Sequence, residues 1–218
     1  MKYVYAVARG RKPGIYESWP ECLKQVHGYA NARCMEKGKN NKSGFDKHSR
    51  KLGPVKNVVA EQWISDGVPV VYTDGSCMSN GMKGRCKAGF GVFWGDNHPD
   101  NLSEPLHEGP PTNNRAELTA VIRALQQAEK KGYKRLVVKT DSNLLIQSMN
   151  VWIHSWRKNN WKTSTGSDVK NKDLLVELDM MLKKVQVCFD HIRGHVGIYG
   201  NEKADELARA GAQLYCQQ

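Results

Sequence analysis

Hydrophobic and polar residues alternate in short stretches along the chain and predict a succession of strands and helices. Near the N-terminus, residues 3–8 alternate as a strand does, residues 15–16 begin a second strand, and Ser18 precedes a short helix as its N-cap. From residue 36 to about residue 62 the chain is rich in Lys, Asn, Gly and Ser, which is typical of linkers. We therefore predict an N-terminal module over residues 1–35, a basic polar linker over 36–66 and a second domain over 67–213.

The second domain begins with strand-like stretches and continues with helices and strands in alternation. Strands are predicted at 68–74, 88–94, 102–107, 135–141 and 185–192, and helices at 114–131, 143–149, 173–184 and 201–213. Apolar residues three or four positions apart give the first of these helices a face that is suited to burial. The pattern predicts an α/β fold, in which a five-stranded mixed sheet is flanked by helices and a small N-terminal α/β module is added.

Four acidic residues occupy positions that the pattern does not explain by folding alone. Asp74 and Asp141 each end an apolar stretch that predicts a buried strand, whereas Glu117 and Asp205 lie early in predicted helices. Taken singly, Glu117 and Asp205 are also explained as partners of helix dipoles. Because loops and helix starts meet outside the strand ends of such sheets, we expect the four carboxylates to converge. Such oxygen ligands suit Mg²⁺, and two close divalent ions hydrolyse phosphodiesters.

The net charge of +11 favours a polyanionic partner such as nucleic acid, although a basic surface also serves solubility alone. The excess is uneven, since residues 1–66 carry 13 basic and 6 acidic side chains and residues 67–218 carry 20 and 16. The sequence shows no apolar stretch near the ~20 residues of a membrane span, no signal-peptide core and no heptad pattern. We expect a soluble intracellular monomer with no membrane and no protein partner.

The cysteines and one basic run bear on the cellular compartment. The six cysteines show no C-x-x-C pair, so free thiols in a reducing compartment are expected. Residues 47–51 are either a nuclear signal or solvated linker charge, and no Arg-rich presequence is visible. The expected location is the nucleus or the cytoplasm, with the mitochondrion left open.

Four motifs follow one another in the second domain. They are Tyr72-Thr73-Asp74-Gly75-Ser76, Thr112-Asn113-Asn114-Arg115-Ala116-Glu117, Thr140-Asp141-Ser142 and the stretch from Gly194 to Asp205. In this order they resemble the motifs of type 1 ribonuclease H over about residues 68–212. Residues 5–19, which end with Trp19, are similar to the small hybrid-binding domain of eukaryotic type 1 enzymes, and this similarity implies that Trp19 contacts nucleic acid.

The resemblance implies a ribonuclease H-like fold and an endonuclease that hydrolyses the RNA strand of RNA·DNA hybrids. It implies two Mg²⁺ ions, with Mn²⁺ as a substitute, and products with 5′-phosphate and 3′-hydroxyl ends. Asp74 then bridges both ions, Glu117 and Asp141 complete one site, and Asp205 completes the other. His195 matches a mobile histidine that assists release of product or metal, and a solvated loop histidine is the alternative.

The resemblance also implies contacts with both strands of the hybrid. The matching residues are Asn80, Asn113 and Asn114 for sugars or base edges in the minor groove, Trp152 and Trp156 for the DNA strand, and Thr112 and Asn171 for a DNA phosphate. Each has a simpler alternative. Asn80 is also a turn former, the two other asparagines suit a helix cap, and four-residue spacing suits tryptophans packed on a core.

The chain departs from the family pattern at three places. Pro110 stands where the phosphate pocket usually has an arginine, and Asn114 where the family often has glutamine. After Arg33 the usual aromatic and basic residues are replaced by Cys34-Met35-Glu36. We therefore expect a weaker phosphate pocket and a truncated or divergent N-terminal arm that binds hybrid weakly, mainly through charge. A DNA-cutting nuclease on the same scaffold and a non-cleaving hybrid-binding protein are the alternative functions.

Overall fold

The chain divides into two compact units between residues 55 and 56. The computed structural model describes residues 3–9, 11–26, 33–38, 57–78 and 86–214. Several features predicted from the sequence lie outside these ranges, namely Asn80, the basic run 47–51 and most of the polar linker.

The described residues of the first unit form a small three-stranded antiparallel sheet with one helix. Strand β1 (Tyr3–Arg9) lies between β2 (Gly14–Tyr16) and β3 (Arg33–Gly38), and helix α1 (Trp19–Val26) follows β2. The backbone oxygen of Ser18 accepts a hydrogen bond of 3.2 Å from the amide of Cys22. The two predicted strands and the helix are thus confirmed, whereas β3 was not predicted and extends to Gly38, within the stretch predicted as linker.

The second unit contains a five-stranded mixed sheet. Its strands are β4 (Val70–Met78), β5 (Lys87–Phe93), β6 (Leu102–Pro105), β7 (Arg135–Thr140) and β8 (Gln186–His191), in the order β6-β5-β4-β7-β8. The first three strands form antiparallel hairpins, whereas β4, β7 and β8 run parallel to one another. The predicted α/β fold with a mixed five-stranded sheet is confirmed.

Helices cover both faces of this sheet. They are α2 (Val58–Ser65), α3 (Asn113–Lys130), α4 (Asn143–Gln147), α5 (Ile153–Lys158), α6 (Lys172–Met181) and α7 (Tyr199–Gln213), with a π-helical turn (Ser148–Trp152) between α4 and α5. A Cβ atom at Gly75 in β4 would lie 2.3 Å from the backbone nitrogen of Glu117 in α3. A Cβ at Gly91 in β5 would lie 2.2 Å from the backbone oxygen of Ala204 in α7. Glycine at these two points therefore lets both helices sit close to the sheet.

The main core lies between the sheet and α3. Apolar residues of α3 at helical spacing, among them Leu118, Val121 and Leu125, are fully buried against Val71 and Val138 of the central strands. Helix α6 adds Leu175 and Leu178 to the same cluster. This packing fixes the start of α3 against the sheet, which matters because the sequence places Glu117 there.

Helix α2 corrects part of the predicted linker. Asn57 caps this helix, accepting a hydrogen bond of 3.3 Å from Ala60, and it also donates to the backbone oxygen of Phe189 at 3.0 Å. Ala60 is completely buried in a second cluster with Val137. Residues 57–66 therefore belong to the second unit, and the linker prediction for 36–66 is wrong over this stretch. Because the preceding residues are polar, the short apolar face of α2 is not recognisable in the sequence.

A disulfide joins Cys77 and Cys86, which corrects the prediction that all six cysteines are free thiols. Cys77 lies near the end of β4 and Cys86 directly precedes β5, so the antiparallel hairpin brings their Cα atoms to 6.3 Å. The two residues are nine positions apart, a spacing that matches no recognised motif. The pairing follows from the hairpin, which is a tertiary feature.

Within the described ranges, every helix is too short or too polar to cross a membrane.

Candidate active site

Asp74 and Asp141 lie side by side where the parallel part of the sheet ends. The ladder between β4 and β7 runs only from Val70 to Tyr72 of β4, and Asp74 follows two residues later. Asp141 directly follows β7. Strand β4 itself continues to Met78 because it stays paired with β5, so Asp74 does not end the strand as predicted. It ends the parallel pairing, and the expected meeting of the two carboxylates results.

Glu117 reaches the same edge of the sheet from the second turn of α3. Its Oε1 atom accepts a hydrogen bond of 2.7 Å from Nδ2 of Asn113, and its Oε2 atom accepts one from the hydroxyl of Ser142. Ser142 is the neighbour of Asp141, and its hydroxyl also caps α4. These two donors fix the Glu117 carboxylate between the start of α3 and the end of β7.

Asp141 is held on its other side by the segment that leads into α7. A Cβ atom at Gly194 would lie 2.3 Å from Oδ2 of Asp141, so a larger residue there would collide with the carboxylate. Asn201, which is 2% exposed, donates from Nδ2 to the same oxygen at 3.4 Å. The Oδ1 atom of Asn201 is buried and has no hydrogen-bond partner in the described part of the chain.

Asp205 lies on α7 and forms an ion pair with Arg209, one turn further along the helix. The charge of Arg209 also lowers the pKa of Asp74. This places the Arg209 guanidinium within electrostatic reach of the carboxylates on the sheet. His195 lies in the exposed loop between β8 and α7, with a left-handed backbone (φ 55°).

We call Asp74, Glu117, Asp141 and Asp205 the carboxylate cluster, and the electrostatics of its first three members are mutually unfavourable. Burial, followed by the charges of Asp141 and Glu117, raises the pKa of Asp74 from 3.8 to about 7. Burial also raises the pKa of Glu117, and Asp141 adds to that increase. The charge of Asp141 thus opposes the ionisation of Asp74 and of Glu117, in a region from which water is largely excluded.

The donor set of the cluster fits a divalent cation. All four side chains present carboxylate oxygens, which Mg²⁺ prefers over nitrogen or sulfur ligands. Within the described residues, no group of three carboxylate, histidine or cysteine side chains is yet arranged to enclose an ion. Ser142 and Arg209 instead bind oxygens of Glu117 and Asp205. These four residues would hold the ions, and Arg209 would have to release Asp205 if that carboxylate serves as a ligand.

A groove of about 560 Å³ brings together six of the predicted nucleic-acid contacts. We call it the tryptophan groove and define it by Thr112, Asn113, Asn114, Trp152, Trp156 and Asn171. Asn113 belongs to both sites, because it lines this groove and also donates to Glu117. The groove therefore borders the carboxylate cluster.

The structure distinguishes between several of the simpler alternatives for these residues. Thr112 is the N-cap of α3, accepting from the amide of Arg115 at 3.3 Å, so the helix-cap explanation applies to neither asparagine. Trp152 is 41% exposed, whereas Trp156 and Trp161 are half-buried against the core. Two of the three tryptophans pack on the core, although Trp156 also lines the groove.

Two predicted contacts lie beyond what the structure places. Asn80 is outside the described residues, and Trp19 begins α1 with a side chain that is not described. Their predicted roles stay predictions.

Sequence reasoning missed several residues that shape the site. Arg115 is 5% exposed and donates to the backbone oxygen of Glu108, to Asn171 and to Asp173. An arginine among the apolar residues of a helix is the signal that points to such a role, since a buried guanidinium needs acceptors. Ser142 and Asn201 stand beside predicted motif residues, but their contacts depend on how separate elements meet.

Comparison with known proteins agrees with this geometry. Residues 67–213 match the RNase H family, and residues 3–36 match the ribonuclease H1 N-terminal domain. Ribonuclease H1 of Mus musculus is 36% identical, and the match covers 96% of this chain and 89% of the relative. Ribonuclease H of Schizosaccharomyces pombe is 35% identical, with 95% of this chain and 96% of the relative covered.

Solved structures show the same fold. The crystal structure of LC9-RNase H1, a type 1 RNase H with the type 2 active-site motif, has a TM-score of 0.55 and 31% identity, and the match covers 69% of this chain and 75% of that one. The solution structure of the PFV RNase H domain has a TM-score of 0.53 and 25% identity, with 67% and 94% covered.

The fold and the carboxylate cluster thus define a hydrolase of the nuclease class. The chain belongs to the ribonuclease H family, with a catalytic domain preceded by a ribonuclease H1 N-terminal domain. Its activity is that of a ribonuclease H.

Proposed function

We propose that the chain is an endonuclease that hydrolyses the RNA strand of RNA·DNA hybrids with two Mg²⁺ ions, leaving 5′-phosphate and 3′-hydroxyl ends. The observation that carries the proposal is the meeting of buried Asp74 with Asp141 and Glu117 where the parallel pairing of β4 and β7 ends, in a chain of the ribonuclease H family. Such an excess of buried negative charge is relieved when divalent cations bind. Mn²⁺, which also accepts oxygen ligands, is expected to substitute.

The carboxylates position the reacting groups. Asp74, Glu117, Asp141 and Asp205 would hold the ions, with Asp74 on the central strand of the sheet and Asp205 on α7. When bound, a pair of divalent ions activates the attacking water and stabilises the leaving oxygen. Ser142 and Asn113 keep the Glu117 carboxylate oriented, because each donates to a different oxygen of it.

The tryptophan groove supplies recognition of the hybrid. Its asparagines offer donors and acceptors to a 2′-hydroxyl, the group that distinguishes RNA from DNA. Its tryptophans offer flat apolar surfaces on which sugars and bases of the DNA strand pack. Because Asn113 contacts both the groove and Glu117, a strand recognised in the groove is placed in register with the carboxylates.

His195 is proposed to assist the release of product. It lies in an exposed loop with a glycine on either side, Gly194 and Gly197, and Gly197 has a positive φ of 82°. Such a backbone gives the loop freedom to move near Asp141, against which Gly194 packs.

A cleavage assay with three substrates tests the proposal. The protein is incubated with RNA·DNA hybrid, double-stranded RNA and double-stranded DNA of one sequence, each labelled on one strand, with Mg²⁺, Mn²⁺ or EDTA. We expect loss of only the RNA strand of the hybrid, dependent on metal and abolished in Asp74→Asn. Product ends that accept a new 5′ label only after phosphatase treatment identify 5′-phosphates. Equal cleavage of the DNA duplex, or hybrid binding without cleavage, would overturn the proposal.

A further inference from the structure

The tryptophan groove contains one charged side chain among the described residues that line it, Lys170. The floor of the groove is otherwise apolar, with Leu118, Leu144 and Leu175 among its members, and its remaining polar groups are neutral hydroxyls and amides. Pro110 also lines the groove and brings no side-chain donor. A single cation in such a place is therefore the dominant electrostatic feature of the groove.

Lys170 differs from the cations around it, because they are already neutralised. Arg115 pairs with Asp173, and Arg157 pairs with Asp179. Lys162 and Lys172 both pair with Asp168, at 2.9 and 3.1 Å. Lys170 is exposed, and in the ranges that the structure describes no ion pair or hydrogen bond of its side chain is formed. Its charge is thus available to an external anion.

Two neutral donors beside Lys170 are oriented by Arg115. Nη1 of Arg115 donates to Oδ1 of Asn171 at 3.5 Å, which leaves the amide hydrogens of Asn171 for another acceptor. The backbone amide of Arg115 donates to the hydroxyl oxygen of Thr112 at 3.3 Å, which leaves the hydroxyl proton of Thr112 to donate. The groove therefore presents a cation, an amide and a hydroxyl, a set of donors that suits a phosphodiester.

We propose that Lys170 supplies the charged contact to a backbone phosphate of the DNA strand, together with Thr112 and Asn171. The inference rests on the proposed function, which places the RNA strand over the carboxylate cluster and leaves the neighbouring groove for its partner strand. The apolar side chains of Leu118, Leu144 and Leu175 beside these donors agree with packing against a deoxyribose, which carries no 2′-hydroxyl. Lys170 thereby takes over the charged role that Pro110 cannot fill.

The test measures hybrid binding without cleavage. Asp74→Asn protein in EDTA is titrated with fluorescent RNA·DNA hybrid, alone and combined with Lys170→Ala, Lys170→Arg or Lys172→Ala. Lys172→Ala is the matched control, because it removes the same charge two residues away from a side chain already paired with Asp168. We expect Lys170→Ala to weaken binding about three- to tenfold near 0.1 M salt and to lower the slope of log K against log salt by about one. Lys170→Arg keeps the affinity, and Lys172→Ala changes it less than about twofold.

A second substrate identifies the strand. When the DNA strand carries uncharged methylphosphonate linkages, we expect the protein with Lys170 and the Lys170→Ala variant to bind the hybrid with equal affinity. If the difference persists on that substrate, or if the two alanine variants weaken binding equally, the assignment to a DNA phosphate is overturned.

The binding assay also separates this inference from the proposed function. A protein that cleaves hybrid normally but binds it equally well with Lys170→Ala contradicts the inference alone. A protein that fails to cleave hybrid contradicts the proposed function, whatever Lys170 contributes to binding.

Discussion

The carboxylate cluster and the tryptophan groove lie next to each other but are built in opposite ways. The cluster is drawn from four separate elements, namely β4, α3, the end of β7 and α7, and its central member Asp74 is 7% exposed. The groove lies on the surface, and its most exposed member, Trp152, is 41% exposed. One region concentrates negative charge in a buried place, whereas the other offers apolar faces, neutral donors and Lys170, whose side chain has no ion pair within the described ranges.

This comparison shows that the carboxylate cluster, and not the tryptophan groove, destabilises the fold electrostatically. Raising the pKa of Asp74 means that its ionised form is destabilised by the folded structure, so the cluster weakens the fold until a cation binds. The groove has no comparable conflict, because Trp152 packs on Trp156 and Trp156 packs on the core. We therefore expect changes in the cluster to abolish chemistry while they stabilise the metal-free fold, and changes in the groove to reduce affinity.

The largest effect is expected for Asp74→Asn on cleavage. Divalent ions stabilise the transition state by several kcal/mol, so weakening their binding is expected to lower the rate at least about 10³-fold. Hybrid affinity in EDTA is expected to change less than about threefold, because the groove is untouched. Single-turnover cleavage and fluorescence titration measure the two quantities. A parallel loss of affinity would show that the regions are not separable.

A smaller effect is expected for Trp152→Ala on affinity. Stacking of a base on an aromatic side chain contributes about 1–3 kcal/mol, so the KM for hybrid is expected to rise about 5- to 100-fold. Trp152→Phe is the matched variant, because it keeps a flat apolar face, and it should recover most of the affinity. Equal KM values for Trp152→Ala and the unchanged protein would show that Trp152 does not contribute to hybrid binding.

A third prediction concerns the stability of the second unit in EDTA. The pKa of Asp74 is raised on folding from 3.8 to about 7, so its contribution to stability is fully present below pH 3.8 and is lost as the pH rises through about 7. The Asp74→Asn variant does not lose this stability, because asparagine does not ionise. Since one pKa unit corresponds to about 1.4 kcal/mol, a rise of about three units corresponds to about 4 kcal/mol, and we expect the Tm of Asp74→Asn at pH 8 to exceed that of the unchanged protein by roughly 10 °C.

The same variant should gain nothing at pH 3.5, where both forms are uncharged at this position. Added Mg²⁺ should reduce the difference in Tm between the two proteins at pH 8, because the unchanged protein is then stabilised by binding Mg²⁺. Thermal unfolding followed by circular dichroism supplies the values. A lower Tm for Asp74→Asn at pH 8 in EDTA would contradict the view that the cluster is electrostatically strained.

The smallest effect is expected for Asn201→Ala. The side chain of Asn201 donates to Asp141 over 3.4 Å and is not among the described residues that line the tryptophan groove, so we expect it to act by positioning Asp141. We expect kcat to fall about two- to fivefold with KM changed less than twofold, as a single neutral hydrogen bond contributes about 0.5–1.5 kcal/mol. A change confined to KM would assign Asn201 to substrate binding instead.

Much of the cluster was predictable from the sequence because strand ends have a local signature. Apolar stretches that stop at Asp74 and Asp141 locate the edge where the parallel pairing ends, and the start of α3 was predicted to within one residue, although its cap is Thr112 and not an asparagine. The mixed sheet itself followed from the order of strands and helices. These features depend on residues that are near one another in the chain.

The parts that sequence reasoning missed depend on partners brought together by the fold. The charge of Lys170 becomes significant only because Asp168 and Asp173 are already occupied by other cations. The disulfide of Cys77 and Cys86 requires the hairpin to close, and α2 shows its apolar face only when it meets Val137. Pairing and burial of this kind have no signature at a fixed spacing.

The central claim is that cleavage resides in the carboxylate cluster and affinity in the tryptophan groove. It is tested most directly by single-turnover cleavage of RNA·DNA hybrid over a wide range of enzyme concentration, with Asp74→Asn and Trp152→Ala compared to the unchanged protein. At saturating enzyme, Trp152→Ala is expected to approach the wild-type rate within about threefold, whereas Asp74→Asn stays at least about 10³-fold slower. A Trp152→Ala rate that stays low at saturation, or an Asp74→Asn rate that recovers, would contradict the account.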